Sequence, residues 1–515
     1  MGISEGPASG YVPEQPVGIP RQGVISNSAA GFAFQLLGAV LAAITAIFLI
    51  RALGPASYGT FALALSVGAL LSLPADFGIS PSAQRFIAEH VDDRRVVSEV
   101  IGNAVRLKVL VAGAMAVGLA VAADPIAQAY DNPDLVWPLR AAALALFCES
   151  FVLLSTGAFT ALGRVLYNLR LLPLAGVGLA LTVVLVLAGA GPTGAMVGRA
   201  AGQLLVAVAG AWLLWRLVGR PAVRWRGGTR EGRRRLARYA GPILLVDGAF
   251  ALFSQLDVLL IGALLGSVEA GLFQAALRIV VLLHYPGYAI AAAVTPAVAR
   301  RDRAGERPAR AFAAGLRVTI LLQTALAAVL IPWAGPIGDL VLGPEYEGST
   351  EVLRAFAPFV LLSGIAPVVG LGANYLGEAR RRLPVTIAAL AINLVVDILL
   401  IRELGIVAGV IGSTLAYLLY VPVHLRICQS RLFFPLRPVA VTLLRALVAA
   451  AALVGVLAVF GREELSVLDW TLGTITGGAV YIAVLVVTRE LRLGELQAVA
   501  AAAKAGASGY ARRLG

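Results

Sequence analysis

Charge is scarce in this chain of 515 residues. Asp, Glu, Lys and Arg together make up 14% of it, against about a quarter in an ordinary soluble domain, and 59% of the residues are hydrophobic. Lysine is nearly missing: Lys108 and Lys504 are the two present. Two cysteines, Cys148 and Cys428, and three histidines are too few for a disulfide framework or a Cys/His zinc site. The low hydrophobicity that marks disorder is also absent. A mean hydropathy of +0.86 over so long a chain cannot be hidden in water-soluble cores, each of which needs a polar shell. The chain reads as an all-α, polytopic membrane protein.

A bilayer core about 30 Å thick takes roughly 20 apolar residues per helix. Fourteen stretches qualify: 25–50, 59–80, 101–123, 139–161, 169–190, 194–217, 240–263, 269–297, 312–332, 352–373, 383–401, 406–425, 439–460 and 467–488. The first is too long for a cleaved signal peptide, and residues 1–24 read as a disordered tail. Positive charge in short loops sets the orientation. Thirty Lys and Arg residues fall in one alternate set of connections, including Arg85, Arg94, Arg95, Arg380–Arg382 and eight arginines from Arg220 to Arg238. Three, Arg51, Arg402 and Arg462, fall in the other. Both termini are therefore expected in the cytoplasm, with the protein in the cell (inner or plasma) membrane. The net charge of +13 raises nucleic acid as a partner. The basic run 220–238 joins two spans, however, and reads as a topology determinant touching anionic headgroups. The partners expected are membrane lipids and no nucleic acid. The segment Ser82–Val100 is amphipathic and is expected to lie on the inner leaflet.

A weak repeat divides the chain. Leu53-Gly54-Pro55-Ala56-Ser57-Tyr58-Gly59-Thr60-Phe61-Ala62-Leu63-Ala64-Leu65 resembles Leu265–Leu277 at a constant offset of 212, and Pro74 matches Pro286 at the same offset. The offset spans six helices, an even number, so the copies point the same way through the membrane. This predicts a six-helix lobe over 25–217, a basic linker over 218–239 and a second lobe over 240–427. Two added helices follow over 428–490, then a tail over 491–515.

Ionisable groups inside the membrane cost at least about 2.5–3.5 kcal/mol each and mark function. In span seven, Asp247, Ser254 and Asp257 fall on one helical face. In span eleven, Asn393 and Asp397 share a face at i, i+4, and span twelve offers Ser413 and Thr414. These oxygens suit Na⁺, and the carboxylates serve H⁺ equally well. The alternative is hydrogen-bonded glue between helices. No other cofactor or metal is expected. Arg278 lies too deep in span eight to reach the surface, and its fork suits an anionic headgroup or a salt bridge with Asp257 or Asp247. Arg199, Asp76 and Arg85 complete the cavity candidates, while His284 reads as a packing histidine. No phosphate loop, zinc motif or nucleophile elbow stands in a supporting context.

Several segments together resemble the polysaccharide and O-antigen flippases of the multidrug/oligosaccharidyl-lipid/polysaccharide (MOP) superfamily. They are Arg51-Ala52-Leu53-Gly54-Pro55, Tyr58-Gly59, Phe61-Ala62-Leu63-Ala64, Ala75-Asp76-Phe77-Gly78-Ile79, Arg85-Phe86-Ile87-Ala88 and Gly343-Pro344-Glu345-Tyr346. The likeness runs from about residue 24 to 490. It implies a V-shaped pair of bundles that flips a lipid-linked sugar by alternating access, as a monomer, alongside glycosyltransferases and a glycan polymerase. In related lipid II flippases an arginine of span eight faces the central cavity. Arg278 in Ala276-Leu277-Arg278 looks like its match, with Leu277 in place of the acid that usually precedes it. The relatives' Na⁺ site uses an acid of span seven, an Asn/Asp pair in span eleven and a span-twelve hydroxyl. Asn393, Asp397 and Ser413 fit that spacing. Two other functions fit the sequence less well. A MATE-like drug/cation antiporter is disfavoured by the deep Arg278. A membrane glycosyltransferase or O-antigen polymerase is disfavoured because the longest outer connection, near 333–351, is only about 20 residues.

Overall fold

The computed structural model describes residues 24–219, 248–299, 308–492 and 494. All regular elements among them are helical. The N-terminal group comprises α1 (Val24–Asp76), α2 (Ile79–Glu89), α3 (Arg94–Ala129), α4 (Val136–Ala161), α5 (Leu166–Leu185) and α6 (Gly191–Val218). The C-terminal group comprises α7 (Gly248–Leu264), α8 (Ser267–Ala299), α9 (Pro308–Val341), α10 (Ser349–Ala355), α11 (Ala357–Tyr375), α12 (Ala379–Leu404) and α13 (Val407–Leu432). Then come α14 (Leu436–Phe460) and α15 (Val467–Val487). Eleven helical runs are long and apolar enough to cross a membrane. Two of them, Ala33–Asp76 and Leu166–Val218, each hold two expected spans, and Gly248–Leu264 supplies another. Each of the fourteen stretches thus has its helix. The protein is a multi-pass membrane protein.

At about 1.5 Å per residue, α1 is roughly 80 Å long, more than twice the bilayer core. It crosses twice because Gly54 adopts φ 68°, ψ 169° and is followed by Pro55, which breaks the helix. Gly266, 212 residues later, sits between α7 and α8 at φ 110°. The repeat therefore places a left-handed glycine at the same point of both copies.

The two groups of helices meet mainly through α1 and α8. A Cβ on Gly59 would lie 1.7 Å from the Ser267 carbonyl oxygen and 2.9 Å from Gly271 N. A Cβ on Gly271 would lie 2.0 Å from the Pro55 carbonyl oxygen and 3.0 Å from Gly59 N. Since Pro55 and Gly59 correspond to Ser267 and Gly271 at the offset of 212, the contact is reciprocal, as a pseudo-two-fold axis requires. Side chains reinforce it. Tyr346 donates to the Ile50 carbonyl at 2.8 Å, and Arg51 donates to the carbonyls of Val341 (3.1 Å) and Leu340. These contacts close the end of the bundle opposite the arginine-rich loops.

The amphipathic segment departs from expectation. Residues 82–100 are not one interfacial helix. Asp93 caps a new helix, its carboxylate accepting from Arg95 N (2.9 Å) and Val96 N (3.2 Å), so the chain turns between α2 and α3. The apolar face of α2 (Ile79, Ala83 and Ile87) packs on Leu154, Ala158 and Phe159 of α4, not on lipid. An amphipathic stripe reports that one face is buried and does not specify what buries it.

The last pair of helices leans on α9. Trp333 donates to the Leu457 carbonyl at 3.2 Å and Tyr481 to that of Leu321 at 2.7 Å. Glu490, just past α15, accepts from Arg317 and Thr442, each at 2.8 Å, and from Arg445 at 3.0 Å. Burial alone would raise its carboxyl, but the Arg317, Thr442 and Arg445 donors outweigh that and hold it below the usual carboxylate range.

Candidate functional site

The C-terminal helices enclose a cavity of about 480 Å³, a volume in the range of small-molecule sites. Phe250, Phe253, Tyr285, Tyr288, Phe359 and Tyr417 give it an aromatic wall. Asp257 and Ser413 line one end, and Asn374 and Arg382 lie toward the arginine-rich end. From Arg382 to Asn393 along α12 is about 16 Å, so the cavity reaches deep into the bundle.

At the deep end, α12 presents Asn393 and Asp397 one turn apart, both 0% exposed. The Asn393 amide donates to Asp257 at 2.9 Å and to Asp397 at 3.4 Å, and the Ser413 hydroxyl donates to Asp257 at 2.7 Å. The Asp257 and Asp397 carboxyls also face each other. α13 comes this close because position 412 is glycine. A Cβ there would lie 2.2 Å from Asp397 Oδ1. Among the described residues no Lys, Arg or His pairs with either acid. Asp397 Oδ1 and Asn393 Oδ1 are buried acceptors without a donor. Two carboxylates in contact at this depth require a shared proton or a cation. The orphaned oxygens fit either, since Na⁺ takes oxygen ligands of this kind. Thr414, one position past Ser413, has no hydrogen bond to the cluster. Asp247 lies outside the described residues. Ser254 lines the cavity but bonds its own helix at Ala251. His284 meets the Ser363 hydroxyl at 2.7 Å and packs on Phe359.

Arg278 lies on the face of α8 turned toward α1. It lines a pocket of about 70 Å³ whose other wall is Ala42, Ala43, Ala46 and Ile47. With the Gln274 amide turned to present its oxygen, that oxygen accepts from Arg278 Nη2 at 2.9 Å and Nε at 3.3 Å. The Tyr58 hydroxyl faces the same guanidinium. The salt bridge to Asp257 does not form: the two residues line separate pockets, and none of the described acids pairs with Arg278.

The remaining cavity candidates are placed differently from one another. Arg199 lines a largely apolar cavity of about 320 Å³ within the N-terminal helices and stands 3.6 Å from Glu149, which gives that intramembrane acid a partner. Arg85 lines neither this cavity nor the one beside Asp257. Its side chain is 49% exposed and pairs with Glu89 one turn on, at 2.8 Å, because α2 turns its polar face outward. Asp76 is closed in by its own partners. It is buried against Lys108, whose ammonium bonds its carboxylate and the Ser150 hydroxyl (2.9 Å), while Ser80 donates to it at 2.6 Å. Sequence reasoning passed over Lys108 as Asp76's partner, although a signal was available. In a chain that uses arginine nearly everywhere, an intramembrane lysine stands out, and a compact ammonium fits a closed site that a guanidinium does not.

Comparison with known proteins agrees with this architecture. A family model described as polysaccharide biosynthesis protein matches residues 24–301, and one described as MatE matches residues 242–399. The chain is 21% identical over 473 residues to the "Probable low-salt glycan biosynthesis flippase Agl15" of Haloferax volcanii, covering 90% of this chain and 95% of the relative. Among solved structures, the lipid II flippase MurJ matches with a TM-score of 0.72 at 11% identity, over 90% of this chain and 99% of the other. A multidrug resistance MATE family transporter of the MOP superfamily matches with a TM-score of 0.64 at 17% identity, over 80% of this chain and 99% of that one. The fold is MATE/MurJ-like.

Proposed function

Because the chain belongs to the polysaccharide biosynthesis protein family and is similar to proteins named as flippases, we propose that it is a transporter of the MOP superfamily that flips a lipid-linked oligosaccharide. The cargo is a polyprenyl-pyrophosphate glycan moved across the cytoplasmic membrane by alternating access, with Na⁺ or H⁺ as the coupling ion. Both termini face the cytoplasm, where glycosyltransferases build the cargo, and a polymerase receives it on the other side.

The observation that carries this reading is Arg278. A pyrophosphate crossing the low-dielectric interior needs fixed donors, since an uncompensated anion there is very costly. Arg278 stands between α8 and α1, braced by a neutral amide and free of a bonded acid among the described residues. The cluster of Asp257, Asn393, Asp397 and Ser413 supports ion coupling by its uncompensated carboxylates. The reciprocal α1–α8 contact at one end of the bundle supports a state closed on that side.

In proteoliposomes, Arg278→Ala is expected to abolish flipping and Arg278→Lys to retain part of it, both with normal insertion. Full flipping by Arg278→Ala would sink the reading. The match of residues 242–399 favours a second reading, antiport of a cationic drug, but a fixed cation beside the path opposes it.

A further inference from the structure

The run Arg380–Arg382 counts in the sequence as one more topology signal, yet the structure separates its members. Arg381 turns to Glu378 at 3.3 Å, and Glu378 also pairs with Arg431. Arg382 turns the other way, into the wall of the 480 Å³ cavity. Its guanidinium donates to Asn374 Oδ1 at the end of α11, and to the Tyr420 hydroxyl (3.0 Å) and His424 Nε2 (3.3 Å) on α13. His424 Nδ1 lies 2.8 Å from the Tyr420 carbonyl, which takes its proton and leaves Nε2 as the acceptor. Gly370 makes the room: a Cβ there would lie 3.1 Å from the Tyr420 hydroxyl and 3.3 Å from Arg382 Nη2. Three helices thus fix the guanidinium, and none of these bonded partners neutralises it.

Arg382 also sits in the first turn of α12, where the helix dipole is positive and stability favours an acid. A local rule broken at the rim of a ligand-sized cavity points to function. We propose that Arg382, with the first turn of α12, binds the phosphate or pyrophosphate group of a lipid-linked amphiphile entering from the arginine-rich end. Val281 and Tyr285 line both this cavity and the pocket of Arg278. An anion held at Arg382 therefore has a short way to the second guanidinium. The nature of the amphiphile rests on the flippase reading; the anion site does not.

The test is a titration of the full-length protein with farnesyl pyrophosphate and farnesol, which share a chain and differ in the anion. It is run in the wild type and in Arg278→Ala, so that the preference left in the latter belongs to Arg382. That preference is expected to be about tenfold or more, the order of a charge-assisted contact. Arg382→Gln should remove it while leaving farnesol binding where it was. Asn374→Asp keeps the side-chain shape and sets a carboxylate on the guanidinium, so it should remove the preference too, in a chain that still folds. If Arg382 only ties helices together, Asn374→Asp retains the preference, and that result overturns the proposal. Wild-type binding of farnesyl pyrophosphate by Arg382→Gln overturns it as well. Phosphatidylglycerol competing as strongly as farnesyl pyrophosphate would keep the site, assign it to a lipid headgroup and count against the flippase reading of its occupant.

Discussion

In the N-terminal half the buried acid, Asp76, meets the ammonium of Lys108, whose side chain is 0% exposed. At the deep end of the C-terminal cavity the buried acids, Asp257 and Asp397, meet an amide, a hydroxyl and each other. The first arrangement is electrically complete: its charges come from the chain and stay with it. The second holds two carboxyls and no cationic side chain among the described residues, so it needs a proton or a cation that those side chains do not supply. The two halves, matched by a repeat, thus differ in how their membrane-buried acids are balanced.

The comparison is open to attack by substitution. The largest effect is expected from Lys108→Met, which leaves Asp76 buried without its partner. Breaking a buried pair costs about 3–5 kcal/mol, read as a lowered denaturation midpoint in detergent. The double variant Lys108→Met with Asp76→Asn should recover most of it. Next come Gly271→Ala and Gly59→Ala. Each adds a methyl against fixed backbone of the other half, at a cost of about 1–3 kcal/mol. If the joint is reciprocal, the two variants should be similarly destabilised and should both raise cysteine labelling near Tyr346. A large difference between them would break the symmetry.

A smaller effect is expected at Glu490, an acid with compensating charges. Its folded carboxyl ionises at lower pH than the unfolded one, near 4.3, so the folded state binds fewer protons. Its contribution is full above that pH and is lost as the pH falls through the lowered folded value. After solvent screening of the arginines, each about a third exposed, it amounts to about 1 kcal/mol. Glu490→Gln should remove this acid-side slope. The smallest change in stability is expected from Asp397→Asn, which removes a charge that had no partner. Its midpoint should stay within about 1 kcal/mol of wild type or rise, opposite in sense to Lys108→Met.

Much of this architecture was legible in the sequence. Hydropathy gave the spans, because lipid demands continuous apolar helix. The 212-residue offset marked both segments of the joint, though not their contact, because left-handed and close-approach positions restrict residue type to glycine. Asn393 and Asp397 were visible as an i, i+4 pair on one face. The contact of Asp257 with Ser413 was not, since Asp247 is ten residues away on the same face, within a sector of about 80°, and only the packing of α13 brings Ser413 to Asp257. The partnership of Asp76 with Lys108 was only half legible: the intramembrane lysine stands out in the sequence, but a pairing across two helices leaves no local pattern. Arg382 was hidden because a topology arginine and a cavity arginine are identical in sequence. Arg85 misled for the converse reason: its motif is local, while its exposure is set by how α2 lies on α4.

Orientation is read by labelling single cysteines at positions 345 and 381, in a chain lacking Cys148 and Cys428. They should react from opposite sides, and equal labelling of both from outside would contradict cytoplasmic termini. The most direct test of the central claim is gradient-driven flipping of a polyprenyl-pyrophosphate oligosaccharide in proteoliposomes. The wild type is expected to flip faster under an imposed Na⁺ or H⁺ gradient, and Asp397→Asn to ignore both while remaining folded. Flipping that is indifferent to both gradients in the wild type, or equally driven in Asp397→Asn, would contradict the account.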